Sequence, residues 1–186
     1  MSHEARYLSI VSGQWRGVAS MLARTGLSIL EPAYRGIVRT RNTLYNKHLR
    51  SAQDLGRFTV SIGNITTGGT GKTPVVQWLA DQALARGARP AILLRGYGAH
   101  DGVSDEAELL KRPGVIVQAN PDRIAGAKAV LSRDPSVDLF LLDDGFQHRR
   151  ARRDVDLVLI DATCPFGHGH VLPRGLLREP LSSLSR

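Results

Sequence analysis

The sequence contains one cysteine, Cys164, so no disulfide can form within the chain, and no Cys-x-x-Cys pair is present to hold zinc. Aromatic residues make up only 5% and no recognised nucleic-acid motif occurs, which argues against a nucleic-acid partner in spite of a net charge of +8. No uncharged apolar run of about 18 residues exists, so no membrane-spanning helix is expected. Arg16 and Arg24 interrupt the apolar region near the start, which argues against a signal peptide. Internal repeats and low-complexity tracts are also missing, and with them the repeat and linker classes.

What is present suffices for a core. A chain of 186 residues with 42% hydrophobic content predicts one core with an appendage rather than two full domains. Charge is unevenly spread: residues 1–50 carry eight basic residues against Glu4 and Glu31, a net +6 of the total +8. From Gln14 to Leu49 the apolar residues Trp15, Val18, Leu22, Ile29, Leu30, Tyr34, Ile37, Val38, Leu44 and Tyr45 recur at roughly helical intervals among the arginines. Such basic amphipathic helices suit either an anionic membrane surface or packing on the protein's own core. Pro32 is expected to separate two helices, with the second beginning there.

The strongest signal is Asn64-Ile65-Thr66-Thr67-Gly68-Gly69-Thr70-Gly71-Lys72-Thr73. Before it, Phe58–Ile62 alternates as a strand does; after it, Pro74–Leu84 carries apolar residues at helical spacing. A small-residue loop at that junction offers free backbone N–H groups and a helix dipole to an anion. Its glycines let phosphate oxygens approach, Lys72 reaches the outer phosphates, and the Thr73 hydroxyl can ligate Mg²⁺. Thr66 stands where the usual pattern has glycine, so the loop is a variant form. Downstream, Val137–Asp144 is an apolar run closing on Asp143 and Asp144, as expected of a doubly buried parallel strand whose carboxylates approach the metal. A nucleoside triphosphate with Mg²⁺ is the ligand these two motifs imply, and a reducing cytosolic setting goes with it.

Other segments complete an alternating order of strands and helices. Ala91–Leu94 reads as a strand, an acidic loop with Asp101, Asp105, Glu106 and Glu108 follows, then a strand at Val115–Gln118, a helix at 121–131 and a strand at Val155–Asp161. The order predicts an α/β fold, P-loop NTPase-like, with a mainly parallel sheet flanked by helices and N-terminal amphipathic helices. Residues 1–50 are expected to form the membrane-associating part and 51–186 the nucleotide-binding lobe. The run Arg149-Arg150-Ala-Arg152-Arg153 is read as a solvated face or an anion contact, and Cys164 as a packed thiol. His168 and His170, at a spacing of two with no further ligand nearby, are weak evidence for a metal. The Gly- and Pro-rich tail 166–180 is read as an ordered loop.

Five motifs in order carry a resemblance: Gly-Asn-Ile-Thr-Thr-Gly-Gly-Thr-Gly-Lys-Thr-Pro at 63–74, Arg-Gly-Tyr-Gly at 95–98, Ser-Asp-Glu at 104–106, Asp-Asp-Gly-Phe-Gln-His at 143–148 and Leu-Arg-Glu-Pro at 177–180. Together they resemble the tetraacyldisaccharide 4'-kinase family of lipid A biosynthesis. The resemblance implies ATP- and Mg²⁺-dependent phosphorylation of the 4'-hydroxyl of a lipid A disaccharide precursor, at the cytoplasmic face of the inner membrane. It implies Asp105 as the base, with Lys72, Asp144 and His148 also catalytic. It implies a phosphate loop of Thr66, Thr67, Gly68, Gly69, Thr70, Gly71, Lys72 and Thr73, and a metal region of Thr73, Asp143 and Asp144. Tyr97, Arg123, Gln147, Arg178 and Glu179 match positions that shape the site. Local departures are His168, Arg174, and Leu94 and Ala99 flanking the Arg-Gly-Tyr-Gly motif. Family members continue into a second α/β lobe, so the expectation is a truncated portion with weak activity at best. The rival readings are a P-loop regulatory ATPase and a nucleotide-binding fragment without kinase turnover.

Overall fold

The computed structural model describes residues 2–96 and 105–186. The chain divides into two compact units. One comprises Met1–Arg50, Ile65–Gly68 and Ile160–Arg186; the other comprises Ser51–Asn64 and Gly69–Leu159.

The second unit is a five-stranded sheet of β1 (Phe58–Asn64), β2 (Pro90–Leu94), β3 (Ile116–Ala119), β4 (Leu139–Asp143) and β5 (Val155–Leu159), in the order β3-β2-β4-β1-β5. Every pairing is parallel. Parallel neighbours need crossovers, and helices supply them here, so the central strands are covered on both faces and become apolar throughout. Along β2, Ala91 and Leu93 enter one core with Phe140, Leu142, Ile124 and Val130. Ile92 and Leu94 enter the other with Ile62, Val76, Ala80 and Leu141. This period-2 split is why both strands read as unbroken hydrophobic runs.

Among the described residues this unit holds the helices α3 (Lys72–Ala85), α4 (Asp105–Leu110) and α5 (Arg123–Arg133), numbered after two helices of the first unit. Gly71, at φ +73°, takes the left-handed conformation at the N-cap of α3, and Pro74 sits in the first turn where its missing N–H is harmless. Asp122 caps α5 by accepting from the N–H groups of Ile124 and Ala125 at 3.0 and 3.3 Å. The segment beginning at Asp105, expected as loop, is a short helix, because Leu110 is drawn fully into the core beside Ile92 and Leu94.

The first unit holds α1 (His3–Val11) and α2 (Val18–Asn46). Pro32 does not divide the latter: α2 is one helix of 29 residues with the proline inside it. Proline cannot donate to the Ser28 carbonyl, but anchors on either side of it hold the helix to the tail of the chain. The Glu31 carboxylate accepts from Arg35, from His170 Nδ1 at 2.9 Å and from the Val171 N–H at 3.2 Å. Burial pushes Glu31 up, yet these bonds and the His170 charge hold its carboxyl below the ordinary range. Tyr34 donates to the Arg178 carbonyl at 2.9 Å, and Arg41 and Asn42 reach Glu179 at 2.6 and 2.9 Å. The tail carries two short 3-10 turns, Gly167–Gly169 and Leu181–Ser185, and its Val171 and Leu177 pack with Ile65 and Tyr34.

The inward face of α2 is therefore partly polar, with Ser20, Glu31 and Val38 buried. Its apolar stripe faces solvent: Val18 is 70% exposed, Leu22 64% and Ile29 73%, and Met21 lies beside them. Those four positions share one helical face. Among the described residues, no helix is long and apolar enough to cross a membrane.

Candidate functional site

The sheet order sets β1 and β4 side by side, with Ile62 opposite Asp143 in register. Past β4 the chain turns back on β1: the Gly145 N–H donates to the Ile62 carbonyl at 3.1 Å, and Phe146 packs so closely on Gly63 that a Cβ there would stand 2.5 Å from the Phe146 Cβ. Only glycine admits this approach, which fixes the Asp143–Gln147 turn against the end of β1. Gln147 Nε2 then donates to the Asn64 carbonyl at 2.8 Å.

Lys72, the first residue of α3, reaches back to this strand end. Its Nζ donates to Asn64 Oδ1 at 3.1 Å and stands 3.5 Å from Asp144 Oδ1. Asp144 adopts a φ of +54°, a left-handed conformation that Asp tolerates better than most residues. Asp143 is buried, and its pKa is raised to about 6, first by burial and next by the charge of Asp144, with Lys72 pulling the other way and Glu106 adding to the rise. Two carboxylates crowded at a buried strand end, partly answered by one lysine, form a site that gains from a further cation.

Arg123 is buried at the start of α5 and donates from Nη2 to the Asp143 carbonyl at 3.3 Å and from Nη1 to the Asn120 carbonyl at 3.3 Å. His148 is pushed down to about 4 by burial first and by the Arg123 charge second, so its imidazole is neutral at physiological pH. Its Nε2 is buried with no hydrogen-bond partner among the described residues, as is the hydroxyl of Thr70.

The structure thus brings together Lys72, Asp143, Asp144, Arg123, Gln147 and His148, with Gly69, Thr70, Gly71 and Thr73 on the same unit. Asp105 opens α4, and the charge of its neighbour Glu106 reaches Asp143. Tyr97 lies outside the described residues. Thr66, Thr67 and Gly68 belong to the first unit, where Thr66 bridges Leu177 and the Thr67 N–H donates to the Leu176 carbonyl at 2.7 Å. Arg178 and Glu179 belong to that unit too. Glu179 is fully buried, its carboxylate taken by Arg41, Asn42 and Arg186, and its pKa is held down by these partners against the upward push of burial.

Asn64 was not among the site residues expected from sequence. The run Gly63-Asn64-Ile65 offered the residue, but an Asn at a strand end has no pattern of its own until the fold sets Lys72 beside it. Within the basic run, Arg153 turns inward, donating to Asp156 at 2.8 Å and to the His148 carbonyl at 3.1 Å. Arg150 and Arg152 are exposed and pair with Asp122 and Asp54. Cys164, expected as a packed thiol, is only partly buried on a surface turn, 3.8 Å from His168, while His170 serves Glu31 instead.

A parallel sheet in this order, with a Gly-Lys-Thr loop between its first strand and first crossover helix and paired aspartates on the neighbouring strand, defines a P-loop NTPase-like protein. Residues 23–186 match the family model described as tetraacyldisaccharide-1-P 4'-kinase, LpxK. The chain belongs to this family. It is 38% identical to the tetraacyldisaccharide 4'-kinase of Geobacter sulfurreducens, in an alignment covering 100% of this chain and 58% of the relative. To that of Anaeromyxobacter dehalogenans it is 42% identical, over 92% of this chain and 51% of the relative. The crystal structure of LpxK from Aquifex aeolicus in complex with ATP superposes with a TM-score of 0.77 at 34% identity, covering 88% of this chain and 56% of that one. The chain spans just over half the length of these relatives.

Proposed function

We propose that the chain is the nucleotide-binding part of a kinase that transfers the γ-phosphoryl group of ATP to the 4'-hydroxyl of tetraacyldisaccharide 1-phosphate, giving lipid IVA. The observation that carries this reading is the Lys72 ammonium held between Asn64 and Asp144 at the carboxyl ends of β1 and β4, in a chain of this family. Phosphoryl transfer asks chiefly for positioning and charge neutralisation, and the residues divide along those lines. Backbone N–H groups of the loop from Gly69 to Thr73 cradle the phosphates, the Thr67 N–H being already given to the Leu176 carbonyl, and Lys72 neutralises the outer ones. Asp105 takes the proton from the acceptor hydroxyl as its oxygen bonds to the γ-phosphorus and the bond to the bridging oxygen breaks. Arg123, Gln147 and His148 fix the turn that carries Asp143 and Asp144. Thr73, Asp143 and Asp144 would hold Mg²⁺, which supplies charge neutralisation to the β- and γ-phosphates. The crowded Asp143–Asp144 pair, answered in part by the Lys72 ammonium, fits that group.

In this proposal residues 1–50 meet the inner membrane at its cytoplasmic face, and 51–186 form the kinase lobe. The solvent-facing stripe of Val18, Met21, Leu22 and Ile29 and the surplus of arginine support a peripheral attachment.

Titration calorimetry with Mg·ATP should find one site that Lys72→Ala weakens at least tenfold, an effect on the order of a lost charged hydrogen bond. Label from γ-labelled ATP should appear in the glycolipid, whereas a regulatory ATPase releases it only as free phosphate. Asp105→Asn should stop the transfer and leave Mg·ATP uptake in place. No uptake, or uptake indifferent to Lys72→Ala, would overturn the proposal.

A further inference from the structure

Asn64 ends β1 fully buried, and three of its polar groups have three different fates. The main-chain carbonyl accepts from Gln147, Oδ1 accepts from Lys72, and Nδ2 has no partner among the described residues. The amide can face the lysine only this way round, because the flipped group would set donor against donor. Burial of an unpartnered Nδ2 is costly, and it is tolerated at a position where the other end of the same amide holds a charge.

We propose that Asn64 is a positioning residue for Lys72: a neutral clamp that holds the ammonium at the strand end without discharging it. The inference rests on the nucleotide reading above and deepens it.

A lysine carries a flexible four-carbon stem, and ordering it when the ligand arrives would weaken binding. Here the ordering is already done in the free protein, since two acceptors, one ending β1 and one just past β4, meet one Nζ and the Lys72 side chain is only 14% exposed. An ammonium has three N–H donors, so two anchors leave one for a phosphate oxygen. The neutrality of the Asn64 amide matters as much as its position. Asp143 and Asp144 already set two carboxylates beside the lysine; a third at position 64 would spend its charge on the protein and repel the phosphates.

The test is a double-mutant cycle read by Mg·ATP calorimetry on the full chain, with Asn64→Ala, Lys72→Ala and the two combined. Asn64→Ala should weaken uptake about tenfold, Lys72→Ala more, and the combined variant no further than Lys72→Ala alone. Asn64→Asp keeps both the size and the acceptor; checked by circular dichroism for an unchanged fold, it should lose at least as much affinity as Asn64→Ala. That arm decides the matter if Asn64→Ala fails to fold. Additive losses in the cycle, or an Asn64→Asp variant that binds like the parent, would overturn the clamp while leaving the nucleotide reading in place. A parent chain that takes up no Mg·ATP, or one indifferent to Lys72→Ala, would sink the nucleotide reading and the clamp with it.

Discussion

His148 sits where positive charge is unwelcome: burial comes first, the Arg123 guanidinium second, and its pKa falls to about 4 from an ordinary 6.5. Between those two pH values the unfolded chain binds more protons than the native one, so this residue costs stability as pH drops through that window. Asp143 works in the opposite sense. Its native pKa of about 6 against an ordinary 3.8 means that the native state holds the extra proton, and its contribution improves as pH falls from 6. The two partly cancel in any bulk unfolding curve, so the measurement must be specific to one residue. An NMR titration of the His148 ring proton should show a midpoint near pH 4, and Arg123→Gln should raise it; a midpoint near 6.5 would refute the burial argument. At this scale the loop and the aspartates were legible because their spacing is itself the chemistry. Asn64 was not, because its role exists only once Lys72 returns to it across the loop. Glu179 was named through the resemblance, but its partners were not legible, since Arg41 and Asn42 lie more than a hundred positions earlier in the chain.

Among the elements, β2 and β4 could be read to within two residues, since strands covered on both faces leave unbroken apolar runs, and β1 and β5 to within two residues at their C-terminal ends from the alternation of apolar and polar residues. The acidic start of α4 concealed a helix, because its charges outnumber the one leucine that reaches the core. With α2, a sound local rule gave the wrong boundary. Proline removes one backbone bond, but the contacts of Glu31, Tyr34, Arg41 and Asn42 outweigh that loss and carry the helix through. Pro32 itself is exposed. Pro32→Ala should therefore stabilise the protein by about 1–3 kcal/mol, the penalty for proline inside a helix less what the anchors have already offset. Denaturant melts would check this, and a midpoint that fell instead would mean that the helix depends on the proline.

Over the whole molecule, charge and apolar exposure are concentrated in the same stretch. Residues 1–50 hold +6 of the net +8, and α2 within them turns Val18, Leu22, Ile29 and Ile37 to solvent. Apolar contact and electrostatic attraction both scale with what is presented, so binding to vesicles rich in anionic lipid is expected, weakening as salt rises. Exchanging Leu22 and Ile29 together for serine should lower that binding at least about tenfold, at roughly 1 kcal/mol or more for each buried side chain. Co-sedimentation with anionic and with zwitterionic vesicles would measure it, and equal binding by parent and variant would count against an apolar contact.

The leading residues of the Gly-Lys-Thr motif do not stand on their own. Thr66 and Thr67 are laced by main-chain bonds to Leu176 and Leu177, a stretch 109 positions further on. A nick or a circular permutation between these partners would leave the signature readable to any motif search, yet would unlace its left-hand side. Transplanted into a foreign scaffold, the same letters would arrive without their buttonhole.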